Sequence, residues 1–112
     1  MSNVNGATLG PFQRIWDAWS PADTRIRMQP VNHFPRVIEM QFDEFWAAWP
    51  TDRAGALNEV VDVISIALNW LRWFGCSDRD VAVLVENRAK RYADPEAILQ
   101  KYKGLMGPED AV

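Results

Sequence analysis

The sequence is poor in the residues that most directly announce chemistry. It has one cysteine, Cys76, and one histidine, His33, in 112 residues. A single cysteine excludes a disulfide framework within the chain and fits a reducing compartment. A nucleophilic thiol would need a histidine partner, and His33 is distant in sequence. Cys76 follows Gly75 at an expected helix end and reads as a small apolar turn residue. Positive charge is not in excess either: 12 Lys and Arg face 15 Asp and Glu, for a formal net charge of -3. That argues against gripping nucleic-acid backbones, which takes a basic face, but leaves room for a nucleotide bridged by a metal ion. There is no internal repeat, no low-complexity tract and no period-2 strand pattern. Residues 1–10 lack the basic start and apolar core of a secretory signal. The most apolar stretch, 60–74, contains Asp62, Ser65, Asn69 and Arg72, and reads as too short and too polar to span a bilayer. The expectation is a soluble, cytoplasmic protein with no membrane partner.

Apolar residues, by contrast, make up 48% of the chain, so a packed core is expected rather than disorder. The length suits one compact domain. That domain is expected over 11–106, between a loose tail at 1–10 and a C-terminal tail at 107–112. Pro11 opens a short helical pattern in which Phe12, Ile15, Trp16 and Trp19 share a face, and Ser20-Pro21 ends it. A connector with Pro30 and Pro35 as breakers follows. A second helix is predicted over about 35–49, with Pro35 at its first position and Pro50 as its stop. The third and longest, about 54–74, has Asp52 as N-cap and Gly75 as C-cap. A fourth starts at Ser77-Asp78-Arg79-Asp80, which resembles a capping box, and carries Val81, Leu84, Val85 and Ala89 as its apolar face. A fifth starts at Asp94-Pro95. The fold class is therefore all-α, a bundle of four to five helices. The third helix is apolar around nearly its whole circumference. A helix of that kind is buried on most sides, which a chain this short can arrange only with a second copy. A homo-oligomer, a dimer or tetramer, is expected.

Six tryptophans form three pairs at i, i+3: Trp16 and Trp19, Trp46 and Trp49, Trp70 and Trp73. They read as core and subunit-interface packing, with stacking on a nucleobase as the functional alternative for one of them. His33, in the proline-rich connector, reads as structural or exposed.

One feature of the third helix carries chemistry. Glu59 and Asp62, three apart, share a face, and the polar line continues through Ser65 or Ile66 to Asn69 and Arg72. Carboxylates on a buried helix are costly unless paired or metal-bound. Facing carboxylates on bundle helices are one way to hold divalent ions. Mg²⁺ prefers oxygen ligands and keeps room for water and phosphate, so a nucleoside triphosphate would complete such a site. The plain alternative is a solvated face whose acids pair with Arg53, Arg72 or Lys90. The second helix offers two further acidic sets: Gln41 with Glu44 on one face, Glu39 with Asp43 on another. Aromatic residues flank both, and spacing alone does not choose between them.

The stretch 36–92 resembles the MazG-like all-α nucleoside triphosphate pyrophosphohydrolases. That family carries a Glu-x-x-Glu helix, a short turn and a Glu-x-x-Asp helix, then a glycine-containing turn and a helix with Asn and basic residues. The second motif is intact as Asn58-Glu59-Val60-Val61-Asp62-Val63-Ile64. The turn is Phe74-Gly75-Cys76-Ser77-Asp78, and the last motif is Glu86-Asn87-Arg88-Ala89-Lys90-Arg91-Tyr92. The first motif departs from the pattern: aligning Asp43-Glu44-Phe45 with its closing Glu puts Gln41 where the first Glu belongs, and Gln is a neutral, poorer ligand for Mg²⁺. The resemblance implies hydrolysis of a (deoxy)nucleoside triphosphate to monophosphate and pyrophosphate. Glu44, Glu59 and Asp62, with Gln41 as fourth member, would hold Mg²⁺ or Mn²⁺. Asn87, Lys90 and Arg91 would approach the nucleotide, and Asn69 of the polar line is placed with them. The altered motif also admits a second reading, a catalytically weak or inactive nucleotide-binding or protein-interaction module on the same scaffold.

Overall fold

Prolines and capping side chains divide the chain into helices. The computed structural model describes residues 8–103, and among the described residues it contains helices and turns but no strand. A 3-10 turn at Gly10–Phe12 leads into α1 (Gln13–Trp19). A second 3-10 turn, Ser20–Ala22, runs straight into α2 (Asp23–Arg27). The long helices α3 (His33–Ala48) and α4 (Arg53–Trp73) follow, then α5 (Asp78–Ala89), a 3-10 turn at Lys90–Ala93 and α6 (Pro95–Lys101). Packing separates two compact units, Met1–Val81 and Ala82–Val112, with the boundary inside α5. The expected domain over 11–106 spans both. The expected tails lie outside the described residues, apart from 8–10 and the turn they form.

Two expectations near the N-terminus are corrected. Ser20-Pro21 ends α1 at Trp19 as expected, but the segment after it is not an irregular connector. Proline is tolerated in the first turn of a helix, where its missing N–H would have no partner, so the chain stays helical through α2. Asp23 then stabilises that short helix by pairing with Arg27 one turn on, at 2.9 Å. Helix α3 starts at His33, two residues before Pro35, so Pro35 sits within the first turn rather than at its head. His33 thereby belongs to a helix instead of a connector.

The ends of α4 are built as the sequence suggests. Asp52 accepts a hydrogen bond from the Gly55 backbone N–H at 2.9 Å. Its carboxylate folds so closely over Gly55 that a Cβ there would collide with it. At the other end Gly75 adopts φ +96°, a left-handed conformation open to glycine. The Gly75 N–H donates to the Arg72 carbonyl and the Cys76 N–H to the Leu71 carbonyl, which is the Schellman pattern. Ser77 and Asp80 then cap α5 reciprocally: the Asp80 N–H donates to Ser77 Oγ at 3.1 Å and the Ser77 N–H to Asp80 Oδ2 at 2.9 Å.

In the first unit α3 and α4 lie against each other and α1 and α2 pack on α4. Trp16, Leu68 and Val81 form the centre of the core, with Ile15, Ile64, Leu71 and Cys76 around them. Arg72, only 3% exposed, ties these helices together. Its Nη2 donates to the Trp16 carbonyl at 2.6 Å, its Nη1 reaches Asp23 at 3.3 Å, and its guanidinium lies 3.8 Å from the Trp16 ring centroid. Arg72 therefore leaves the polar line of α4 to serve as a structural clamp.

Much apolar surface on α3 and α4 remains open. Phe42 is 51% exposed, Trp46 64%, Leu57 66% and Val60 46%. The tryptophan pairs differ: Trp16 is in the core while Trp19 is exposed and donates its Nε1 to Ser65 Oγ at 3.0 Å, whereas Trp70 and Trp73 both pack on Phe34 and Trp46 and Trp49 both on Phe45. Helix α4 is 21 residues long, longer than the stretch first set aside, and by length and composition alone it suffices to cross a membrane. In the second unit Leu84 and Val85, expected on an apolar face, are exposed, as is Tyr102. Expected apolar Leu105 lies outside the described residues.

Candidate functional site

The candidate site lies where α3 and α4 face each other. Gln41, on the side of α3 opposite the exposed Glu39 and Asp43, is buried against α4. The aromatic pattern of α3 flanks both acidic faces, but packing selects the one with Gln41 and Glu44. Gln41 Nε2 donates to Glu44 Oε1 at 3.5 Å, one turn further along the same face. Across the helix pair stand Glu59, half-buried, and Asp62, exposed. The Glu59 carboxyl is pushed above its ordinary pKa of 4.5. Burial is the largest cause, followed by the Glu44 and then the Asp62 carboxylates, which repel its charge and offer to share a proton. The structure thus brings Gln41, Glu44, Glu59 and Asp62 together.

The electrostatics of this group are unbalanced. Among the described residues neither Arg53 nor Arg72 forms an ion pair with Glu59 or Asp62; the ion pairs are Arg27 and Arg72 with Asp23. Arg53 instead donates to the Trp49 carbonyl and lies over the Trp49 ring. Two oxygens in the group, Gln41 Oε1 and Glu59 Oε1, are buried without a hydrogen-bond partner. A buried acceptor without a partner costs about 1–3 kcal/mol, and so calls for a donor or a cation. Among the described residues, no three His, Cys, Asp or Glu side chains are arranged as they stand to hold one metal ion. The donor set still fits a hard divalent cation in kind, being all oxygen, with two acceptors left orphaned.

Beside the carboxylates is a groove of about 290 Å³ lined by Gln41, Phe42, Phe45, Trp46, Glu59 and Val60, among others. Its walls are apolar apart from the two orphaned acceptors, which strengthens any charge interaction made there.

The remaining candidate residues fall elsewhere. Asn69 is two turns beyond Asp62 on α4, 7% exposed, and lines a separate cleft of about 330 Å³ between α1–α2, α3 and α4. Asn87 lies near the end of α5, and Lys90 and Arg91 in the following 3-10 turn, all in the second unit; Asn87 and Lys90 are exposed and Arg91 half-buried. The same cleft is lined by Arg25, Gln29, His33 and Phe34; of these only His33 stood out in the sequence, as a structural or exposed residue, and the short helix that carries Arg25 was hidden by the flanking prolines. Compared with known proteins, the chain matches no family model, no curated protein and no solved structure.

Proposed function

We propose that this chain is a MazG-like, all-α nucleoside triphosphate pyrophosphohydrolase with an altered first acidic motif. The observation that carries the reading is the meeting of Gln41, Glu44, Glu59 and Asp62 at the α3–α4 contact, with two buried oxygens left unpaired. In this reading Glu44, Glu59 and Asp62 bind Mg²⁺, or Mn²⁺ in its place, and Gln41 contributes its carbonyl oxygen. Closing the set takes side-chain rotation of Glu44 and Asp62, both exposed. When bound, the ion supplies charge neutralisation on the phosphates and activation of water. The protein residues orient the triphosphate and, through the apolar groove wall, limit access of bulk water. The products would be a nucleoside monophosphate and pyrophosphate. Asn87, Lys90 and Arg91 are assigned to the nucleotide by the motif resemblance alone.

A homo-oligomer belongs to the same proposal. The exposed Phe42, Trp46, Leu57 and Val60 of α3 and α4 support it, since burying such a side chain fully is worth about 1.5–3 kcal/mol. A cytoplasmic setting is proposed with it, supported by the lone, unpaired Cys76.

A second reading has one observation in its favour. Gln41 is the only uncharged member of the four, and its amide already donates to Glu44. On that basis the protein would bind a nucleotide or a protein partner without turnover. Incubating the purified chain with a panel of NTPs and dNTPs and Mg²⁺, and measuring pyrophosphate by ³¹P NMR, separates the two. Pyrophosphate and monophosphate in equal amounts support the enzyme. Binding in calorimetry with no pyrophosphate supports the second reading.

A further inference from the structure

Helix α4 is apolar enough in composition to cross a membrane, yet of its 21 residues only Ala56, Leu68, Asn69 and Arg72 are buried. The N-terminal helices cover one side of it. Ile64, Leu68 and Leu71 join the core around Trp16. Ser65 and Arg72 hydrogen-bond to Trp19 and Trp16, and Ile66 and Asn69 line the cleft beside α2. None of these contacts uses Val60, Val63, Ala67, Trp70 or Phe74. Those five recur at alternating spacings of three and four, the a and d positions of a heptad seam. Helix α3 runs along one edge of the seam: Val60 and Val63 share the groove of about 290 Å³ with Phe42, Phe45 and Trp46, and Trp70 stacks on Phe34. No seam position carries a charge.

Area and self-complementarity both point to a second copy as the cover. Phe42 is 51% exposed, and Trp46 and Phe74 are each 64% exposed. These three alone leave about 300–400 Å² of aromatic surface open, taking ~150–250 Å² for a whole aromatic side chain. That is on the order of half of the ~800 Å² per partner in a stable interface, before Val60, which is exposed, and the half-buried Val63, Ala67 and Trp70 are added. Turned about a two-fold axis level with Ser65, the seam matches itself by size. Val60 meets Trp70 and Val63 meets Ala67, so small side chains face larger ones. A parallel pairing would set Trp70 against Trp70 and Ala67 against Ala67, crowding one layer and leaving a void in the next. Identical faces without charge also meet free of like-charge repulsion.

We propose that a second copy of this chain docks on the α3–α4 face, its α4 antiparallel to the first, in a two-fold dimer whose axis passes level with Ser65. The second copy then forms the wall that the groove beside Gln41 and Glu59 lacks. The proposal deepens the homo-oligomer named above and rests on it, but it does not depend on the nucleotide chemistry. Leu57, although 66% exposed, is off the seam and stays outside this interface.

The test uses the full chain in EDTA, without nucleotide. Sedimentation velocity gives a dimer that dissociates on dilution. Phe74→Arg and Ala67→Glu each weaken it by at least about a hundredfold, because each puts an unpaired charge into an apolar seam, while Leu57→Glu leaves it intact. Phe74→Arg changes an exposed position and keeps the parent's circular dichroism even if Ala67→Glu does not fold. In a Cys76→Ser background, oxidising a mixture of Val63→Cys and Ala67→Cys chains gives mainly the mixed disulfide, identified by mass; a parallel seam would give mainly the two self-linked products. A parent chain that stays monomeric at every concentration overturns this proposal and the homo-oligomer with it, and if that monomer also sediments with phosphatidylcholine vesicles the face belongs to a bilayer. A dimer indifferent to Phe74→Arg, a dimer broken by Leu57→Glu, or an excess of self-linked products overturns this proposal alone. Pyrophosphate release is measured separately, so none of these outcomes is confused with failure of the pyrophosphohydrolase reading.

Discussion

Gln41→Glu is the substitution that most sharply probes the α3–α4 site. It restores a fourth carboxyl beside Glu44, Glu59 and Asp62 and removes the Gln41 Nε2 hydrogen bond to Glu44, 3.5 Å long in the parent chain. Two like charges at that separation repel by about 5 kcal/mol at an effective dielectric of ~20. The full penalty is not reached, because the new carboxyl can take up a proton instead. Between an ordinary glutamate pKa of ~4.3 and pH 7 that escape costs about 3.7 kcal/mol, at ~1.36 kcal/mol per pH unit. The metal-free variant is therefore less stable than the parent by about 2–4 kcal/mol at pH 7, which is about 10–20 °C in melting temperature for a chain of this size. At pH 4.5 the penalty shrinks to about 1 kcal/mol or less, since protonation there is nearly free. Millimolar Mg²⁺ at pH 7 restores the loss, because binding to the folded state alone stabilises it. Thermal unfolding by circular dichroism in EDTA at the two pH values, and then with Mg²⁺, reads all three quantities. Equal stability of variant and parent in EDTA at pH 7 would refute the reasoning, for it would mean that the four side chains do not share one electrostatic site.

Glu59→Gln tests the same site from the other helix. A carboxyl whose folded pKa is raised above 4.5 contributes stability below the unfolded value that is lost as pH rises through the folded one. The variant therefore gains stability over the parent as pH climbs from 4 to 7 and loses its response to Mg²⁺; a gain that grows toward acid pH would contradict this. Asp23 titrates with the opposite sign. Its partial burial raises its pKa, but hydrogen bonds and charges from Arg27 and Arg72 outweigh that and hold it below 3.8. Its contribution is present above pH 3.8 and lost as pH falls through the folded value, so an acid titration of stability flattens in Asp23→Asn. Val81 is fully buried in the core, and Val81→Ala removes two carbons' worth of transfer energy and leaves a small cavity. A loss of about 2–3 kcal/mol is expected in urea denaturation, and a loss under about 0.5 kcal/mol would show that this end of the core is already loose.

Local chemistry made the long helices legible in the sequence. Asp52, Gly75 and the Ser77–Asp80 pair act through backbone groups within a few residues of themselves, so their meaning does not depend on the rest of the fold. Helix α2 was not legible. Prolines on either side of it looked like breakers, and its stabilising partner, Arg72, lies 49 residues away from Asp23. The acidic group was half legible. The Glu59 and Asp62 spacing placed both on one face, but the choice between Gln41–Glu44 and Glu39–Asp43 depended on which side of α3 meets α4, a tertiary fact that aromatic residues on both flanks concealed. The Arg72 clamp shows the same limit: its partners are Trp16 and Asp23 on the N-terminal helices rather than Glu59 or Asp62 on its own helix.

The central claim is that Gln41, Glu44, Glu59 and Asp62 together make a divalent-cation site for triphosphate chemistry. Its most direct test is a crystal structure of the full chain grown with Mn²⁺, with the ion located by anomalous scattering. The account expects an ion bound by oxygens of Glu44, Glu59 and Asp62, at about 2.0–2.2 Å as for Mg²⁺. A structure with Mn²⁺ bound elsewhere and the Glu59 carboxyl satisfied by a protein donor would contradict it.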